Sequence, residues 1–497
     1  MKAPALGLAA ACLLLGTALA QDPFSKPGGD DWNLGPLGIG AAVDGTRATV
    51  RVLTADGPAE RAGLKAGEAI VGVEGSAFEP KADPVIAIEL ACDAAETRAK
   101  KEAVVTLLVE RNGQPVPVKV AFPSLGKHSG ACPKKCEKCK KAVAMGAAYL
   151  LSQQASDGHF PTELGGKTGK VVVTSISGLA LMAAGGADDA VSRAADYVIA
   201  HIGKEDDSGL KLGGMGGGNW NQVNWELGYG AIFLAELVKK TKRADARAKL
   251  EEVAKLIEAN QEASGGWAHG PGGPNALGYL ELEIVGNFAL MGLGGAKRNG
   301  IALDKSRLEK ALAWIEATGS GDGGVGYSPR EGQKGFGEAG RTSGAIAAYS
   351  LLGLQQQPFF EKMVAFYRAH ATTLSTGHVS PCMHLLSGAI ASYGLGPRDW
   401  ETYIATYRPW IYAARKPDGS FAPTPTHETQ ALHSNTDLSV GTCWTTATYV
   451  LILALPQEKV PLLVDRAGAE KPGKAEKPAR SATGAAPPTE KSEPEVK

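Results

Sequence analysis

"LLSQQASDGHF", residues 150–160, closes an apolar run with paired glutamines, breaks at Asp157-Gly158 and resumes on an aromatic, Phe160. Looser copies return as NQEASGGW at 260–267, SGDGGVGY at 320–327 and RKPDGSF at 415–421. Three of the four phrases follow a segment whose apolar residues share one helical face: Val143, Ala147, Leu150 and Leu151; Leu250, Val253, Ala254 and Ile257; Leu308, Ala311, Leu312 and Ile315. Glycines at 158, 214, 266, 323, 377 and 419 mark the repeat at intervals of about 40 to 57 residues, each read as taking the left-handed position past a helix end. Between them, ISGLALMAAG (176–185), NFALMGLGG (287–295), SGAIAAYSLLG (343–353) and YVLILAL (449–455) are apolar or small on every side, the mark of enclosed helices. One-sided and enclosed helices alternating at a steady period imply stacked pairs that cannot bury their apolar faces alone. Six helix pairs are expected.

This pattern resembles the QW-like repeats of the terpenoid cyclase and protein prenyltransferase superfamily. The resemblance implies an all-α, α6/α6 toroid of six helical hairpins over residues 141–456. In such a ring the loops entering the inner helices surround one mouth, so polar residues far apart in sequence converge there.

Residues 33–123 differ, alternating short β-rich runs (IGAAV, TRATVRVLT, AIVGVEG, VVTLLVERNG, PVPVKVAF) with turns and helical patterns. The stretch GPAERAGLKAGEAIVGVEG, with its proline-led short helix and Gly67-Glu68 turn, resembles a bacterial-type PDZ domain, a small α+β fold. PLGIG at 36–40 is similar to that family's carboxylate-binding loop. The resemblance implies that the amides of Leu37, Gly38 and Ile39 receive the C-terminus of a polypeptide, which adds as an extended segment beside residues 39–43 under a helix at about 84–99. The alternative is a sheet edge covered by the chain itself.

Met1–Ala20 joins one basic residue to an apolar run ending Ala18-Leu19-Ala20 and reads as an export signal cleaved before Gln21, which places the mature chain in the periplasm or outside the cell. A linker at 21–32 and a cysteine-rich linker at 124–140 flank the β-rich domain. Residues 457–497, rich in Lys, Glu, Pro and Ala, are expected to form a disordered tail. Lysine plus arginine and aspartate plus glutamate number 52 each, so no global field attracts nucleic acid or an anionic membrane. No run after the export signal reaches the roughly 18 uninterrupted apolar residues of a membrane span. A PDZ-like domain followed by a toroid behind an export signal also resembles a family of secreted bacterial proteins known only as a domain of unknown function.

The densest reactive cluster falls on the last two inner units. TGHVSPCMHLL supplies His378, Cys382 and His384; HETQALHSNTDLSVGTCW supplies His427, His433, Asp437 and Cys443. Cys382, His384, His433 and Cys443 are ligand types that zinc prefers, and an open position would activate water. A Cys382–Cys443 disulfide, allowed in an exported protein, and histidines merely satisfied within long loops are the competing readings. Glu226, His384, His433 and Asp437 are the candidate catalytic groups. Glu281, Glu283 and Glu338 are further carboxylates for an acid–base pair that cleaves glycans, although Glu281 and Glu283, two residues apart, cannot share a helical face. Trp220, Trp225 and Trp444 would stack sugar faces, and Arg341 would bind ligand at the same rim. HSGACPKKCEKCKK places His128, Cys132, Cys136 and Cys139 together, enough for one tetrahedral site or for a disulfide with a spare thiol. The leading expectation is a binding protein, with polypeptide at the PDZ-like domain and a peptide or polymer in the toroid mouth; an enzyme with a rim site is the alternative.

Overall fold

The computed structural model describes residues 31–130, 132–164, 166–204, 222–270, 281–330, 334–378, 380–423 and 436–464. The export signal, Gly214, Trp220, His427, His433 and the tail beyond 464 lie outside the described residues.

The N-terminal part is a seven-stranded sheet. Strands β1 (Trp32–Asn33), β2 (Ile39–Asp44), β3 (Arg47–Leu53), β4 (Ala69–Val73), β6 (Glu102–Arg111) and β7 (Gln114–Pro123) follow one another in space, and β5 (Ser76–Ala77) pairs with β4. Every pairing is antiparallel. Ala103, Val105, Leu107 and Val109 are buried at alternate positions of β6, as a sheet with one covered face requires. The cover is α2 (Pro84–Arg98), begun by Asp83, whose carboxylate accepts from the Val85 amide at 2.8 Å. A short helix α1 (Pro58–Arg61) precedes β4.

The rest is helical. Helices α3 (Glu137–Gln153), α5 (Asp188–His201), α7 (Ala244–Ala259), α9 (Lys305–Thr318), α11 (Pro358–His370) and α13 (Pro397–Ala413) each bury one face. Helices α4 (Gly166–Ala184), α6 (Val223–Thr241), α8 (Glu283–Arg298), α10 (Ala339–Leu352), α12 (Pro381–Leu395) and α15 (Thr442–Ala454) are buried nearly all round, and a short α14 (Thr436–Val440) leads into the last. The inner helices pack in the order α4, α6, α8, α10, α12, α15, and α15 returns to α4. The ring is therefore closed, an α6/α6 toroid whose six hairpins match the periodicity of the sequence. Among the described residues, no helix is long and apolar enough to cross a membrane.

The repeated phrase explains how neighbouring hairpins join. In four copies, one amide bonds to a carbonyl four residues later and a glycine amide returns to the first residue: Ala155 with His159 and Gly158, Glu262 with Gly266 and Gly265, Ser320 with Gly324 and Gly323, Lys416 with Ser420 and Gly419. The glycines take φ of 94°, 105°, 96° and 87°. A Cβ on Gly158 would stand 2.2 Å from the Arg193 carbonyl oxygen; on Gly265, 2.5 Å from that of Lys310; on Gly323, 2.4 Å from that of Lys362; on Gly419, 2.8 Å from that of Met145. Helices α3, α7, α9 and α13 thus end in a turn whose bare backbone rests on the next outer helix, and Gly419 closes the circle on α3. The amide two residues beyond the glycine then bonds to a threonine on an inner helix: Phe160 to Thr174 at 3.0 Å, Val325 to Thr342 at 2.9 Å and Phe421 to Thr446 at 2.9 Å.

Three sequence expectations are corrected. The left-handed glycine of NQEASGGW is Gly265, one residue before Gly266. Gly377 has an ordinary φ of −59° and serves instead to admit the His384 ring, which lies 2.3 Å from where its Cβ would be. The chain also stays packed past 457: Val460, Leu462, Leu463 and Val464 are buried, and the Leu463 amide donates to Glu236 on α6 at 2.7 Å.

The two parts share a buried junction. Asn33 donates to the carbonyls of Ala413 and Arg415 at 2.6 and 3.0 Å, Trp32 lies 6.0 Å from Trp410, and Arg415 reaches Glu96 of α2 at 2.9 Å. Gly419→Ala forces a side chain into a left-handed residue and against the α3 backbone, so it is expected to cost at least about 2 kcal/mol. Urea unfolding of wild type and variant measures this; an unchanged midpoint refutes the closure role.

Candidate functional site

The N-terminal ends of α8, α10 and α12 bring one polar cluster together. Glu283 is the first residue of α8 and is fully buried, and neither carboxylate oxygen has a hydrogen-bond partner among the described residues. Asn287, one turn on, donates to the Arg341 carbonyl at 2.9 Å. On α10, Arg341 forms an ion pair with Glu338, lies 4.8 Å over the Tyr327 ring, and leaves its Nε unpartnered. Glu338 also accepts from the His378 amide at 2.9 Å and stands 3.7 Å from His384 Nε2. The His384 ring is wedged between glycines, since a Cβ on Gly340 would meet its Nδ1 at 1.7 Å; Gly344, one turn later, makes the same room for Asn287.

Burial sets the charge states. Glu283 is held well above the usual carboxylate range because desolvation outweighs the attraction of Arg341. Glu338 is also desolvated, but His384, Arg341 and the His378 amide together hold it below that range. Burial pushes the His384 imidazole down, more strongly than Glu338 pulls it up, so at neutral pH Arg341 is the standing positive charge of the cluster. A neutral carboxylic acid and an ionised carboxylate thus stand at the starts of adjacent inner helices, the charge of Glu338 adding to the burial that keeps Glu283 protonated.

The other sequence-selected residues divide. Glu226 is saturated by Lys167 at 2.6 Å, Thr168 at 2.7 Å and the Gly203 amide at 2.8 Å, a structural ion pair. Asp437 accepts from Ser380 at 2.7 Å, Trp444 Nε1 at 3.1 Å and the Cys382 amide at 3.0 Å, and burial raises its pKa to about 6. It joins α12 to α15 and offers no bare oxygen to a substrate. Trp444 is 1% exposed and packs edge-on to Tyr229 at 5.3 Å, so it belongs to the core of the ring. Trp225 is half-buried and donates to His269 at 2.7 Å. Glu281 precedes α8, accepts from Ser264 at 3.1 Å and pairs with Arg330 at 3.6 Å.

Cys382 and Cys443 are both free thiols, raised by burial. With His384 turned toward Glu338, these three assemble no metal-type group among the described residues. One such group does exist: the side-chain ligand atoms of His128, Cys132, Cys136 and Cys139 lie within 4.8 Å of one another, a set able to hold a metal ion such as zinc.

On the sheet, Leu37 and Ile39 are buried and Gly38 is left-handed, its carbonyl accepting from the Thr54 amide at 2.8 Å. β1 pairs with β2 at Gly40 and Ala41, so the chain itself occupies the edge expected to take a peptide. The missed members of the polar cluster are Asn287 and Tyr327. Their signal was the Gly340 and Gly344 pair, which opens one face of α10 to polar neighbours.

A family model described as "Domain of unknown function (DUF6288)" matches residues 139–463. No curated protein matches the sequence. Among solved structures the chain is similar to a family 76 glycoside hydrolase from a bovine Bacteroides thetaiotaomicron strain, with 10% identity over 71% of this chain and 83% of that one at a TM-score of 0.45. An unsaturated glucuronyl hydrolase from Bacillus sp. GL1 matches at 13% identity over 63% and 94%, TM-score 0.41. A type II terpene cyclase from Scytonema matches at 14% over 65% and 97%, TM-score 0.38. At these scores the likeness transfers no reaction.

Asp437→Ala strips three donors of their acceptor inside the protein, which is expected to cost about 2–5 kcal/mol. Denaturant unfolding checks it; a variant within about 0.5 kcal/mol of wild type would return Asp437 to the list of functional groups.

Proposed function

The chain belongs to the DUF6288 family, and from that premise of a shared domain without an assigned reaction we propose that it is an acid–base enzyme acting at the N-terminal ends of the inner helices. One observation carries the reading: Glu283 and Glu338, at the starts of adjacent inner helices, are pushed to opposite charge states in a cluster where Arg341 Nε and His384 Nδ1 are buried without a hydrogen-bond partner among the described residues. Stability alone disfavours such an arrangement, because an unpaired buried carboxyl costs free energy that a hydrophobic residue would not.

Glu283 is the proton donor and Glu338 the ionised base. Arg341 holds Glu338 charged and stacks on Tyr327, beside which a sugar ring can pack. A carbohydrate is the proposed substrate, since cleaving or eliminating a glycosidic bond needs one carboxylic acid and one carboxylate. His384 fixes the cluster from α12 as a neutral group. Metal binding belongs, in this reading, to the His128 cluster away from the acid–base pair. The N-terminal domain is read as PDZ-like with its β2 edge partly self-covered, so peptide capture is no part of the proposal. Export through residues 1–20 is part of it. Protein recovered from the periplasm of an expression host should begin at Gln21, and a chain retaining Met1 would refute export.

The test is a screen of neutral and anionic oligosaccharides followed by a pH profile. Activity should fall on the acid side as Glu338 is protonated, below about pH 4.5, and on the alkaline side only well above that, as Glu283 ionises. Glu283→Gln and Glu338→Gln should each lower kcat by about 100-fold or more, with the fold intact. Turnover that survives both substitutions, or none across the screen, defeats the proposal.

A further inference from the structure

We propose that His128, Cys132, Cys136 and Cys139 bind one zinc ion as a closed structural centre that pins the sheet domain to the ring. The four ligand atoms are gathered as a tetrahedral centre needs, and the three distances from the imidazole to the sulfurs match the edges of a zinc tetrahedron. His128 Nδ1 lies 3.5, 3.6 and 3.7 Å from the sulfurs of Cys132, Cys136 and Cys139, and Cys132 Sγ is 3.1 Å from Cys139 Sγ. Four ligands at ordinary zinc distances are separated by roughly 3.5 to 3.8 Å. The sulfur separation is also far beyond the ~2.05 Å of a disulfide.

The surroundings fit a metal in two further respects. The imidazole turns Nδ1 to the sulfurs and Nε2 toward the Asp93 carboxylate at 3.5 Å, the carboxylate–histidine arrangement that orients a metal-bound ring. Donors also point at the sulfurs: the Ser129 amide to Cys136 at 3.4 Å and the Tyr412 hydroxyl to Cys139 at 3.4 Å. Thiolates accept such bonds. Tyr412 additionally meets the His128 ring edge-on at 4.9 Å, which fixes its plane.

All four ligand positions come from the protein, and Cys136 and Cys139 are buried, so the centre leaves no open site for catalysis. Its location gives its role. His128 and Cys132 belong to the linker, Cys136 and Cys139 to the start of α3, Asp93 to α2 of the sheet, and Tyr412 to α13, the last outer helix. One ion therefore fastens the linker to the first outer helix, with its two flanking groups on the sheet domain and on the end of the ring. Binding exchanges three thiol protons, released to solvent, for the divalent ion.

Metal analysis of the full-length chain purified without chelator should give one zinc per molecule. Cobalt substitution should give the visible bands of tetrahedral thiolate coordination. Cys139→Ser should abolish stoichiometric metal, whereas Cys382→Ser and Cys443→Ser should keep it. Should Cys139→Ser fail to fold, Asp93→Asn retains every ligand and is expected to weaken zinc binding by about 10- to 100-fold in a competition titration. Chelation should lower the thermal midpoint, and added zinc should restore it. Metal-free protein two hydrogens lighter than the reduced chain would mean a disulfide and overturn the proposal. So would stoichiometric iron, or zinc lost only from the Cys382 and Cys443 variants.

Discussion

Backbone resting on backbone is the constraint from which this architecture follows. At Gly158, Gly265, Gly323 and Gly419 the turn ending one outer helix lies so close to the next that no side chain fits between them. The left-handed φ at each position adds a second, independent demand for glycine. Because the contact is local to each step, the same turn can be repeated, and each repetition rotates the chain by one hairpin. Closure then depends on the last copy, where Gly419 meets Met145 on the first outer helix. An open stack would leave α4 and α15 each with an uncovered apolar face, and both are buried nearly all round.

The junction with the sheet obeys a different rule, that of charge balance in a space without water. Glu89, Glu96, Lys138 and Arg415 are buried there, with Asp93 at the edge. Lys138 pairs with Asp93 and, at 2.5 Å, with Glu96; Arg415 pairs with Glu96 at 2.9 Å. Burial pushes Glu89 up to about 8, so near neutrality it carries a proton and the junction holds two acids against two bases. A carboxyl whose folded pKa exceeds its unfolded value costs stability increasingly as pH rises from the unfolded pKa through the folded one, here from about 4.5 to about 8. The junction is thus tightest on the acid side of that window. Gly35 belongs to the same arrangement, since a Cβ there would stand 2.8 Å from the Glu89 carboxyl.

The ring could be read from the sequence because its determinants are periodic: one-sided helices, enclosed helices and turn glycines recur in fixed order. Reading failed where a residue's role is set by a neighbour from another hairpin. Gly377 looks like one more turn glycine, yet its smallness serves the ring of His384. Asp437 and Trp444 look like site residues because they are polar or aromatic near a helix start. Their partners, Ser380 and the Cys382 amide for one and Tyr229 for the other, come from elsewhere in the ring and make them structural. The carboxylate-loop resemblance at Leu37, Gly38 and Ile39 led to a free strand edge, whereas β1, too short to stand out in sequence, lies on it. The cysteine cluster was legible throughout, its four metal-type side chains falling within twelve residues of chain.

The charge states of Glu283 and Glu338 do not follow from their positions at helix starts. Both sit at the beginning of an inner helix, where the helix dipole favours an ionised carboxylate by about 0.3–1 kcal/mol, up to ~2 kcal/mol when partly buried. If the dipole governed, both would be charged. Removing a carboxylate from water costs several kcal/mol, which exceeds that benefit unless another group repays it. For Glu338, one-fifth exposed, Arg341 and the His378 amide do so. Glu283 has no exposure, and its desolvation outweighs what Arg341 and Asn287 offer, so it keeps its proton at the same kind of position. The difference in charge state thus comes from the packing of three hairpins around the pair, made possible by the bare face that Gly340 and Gly344 leave on α10.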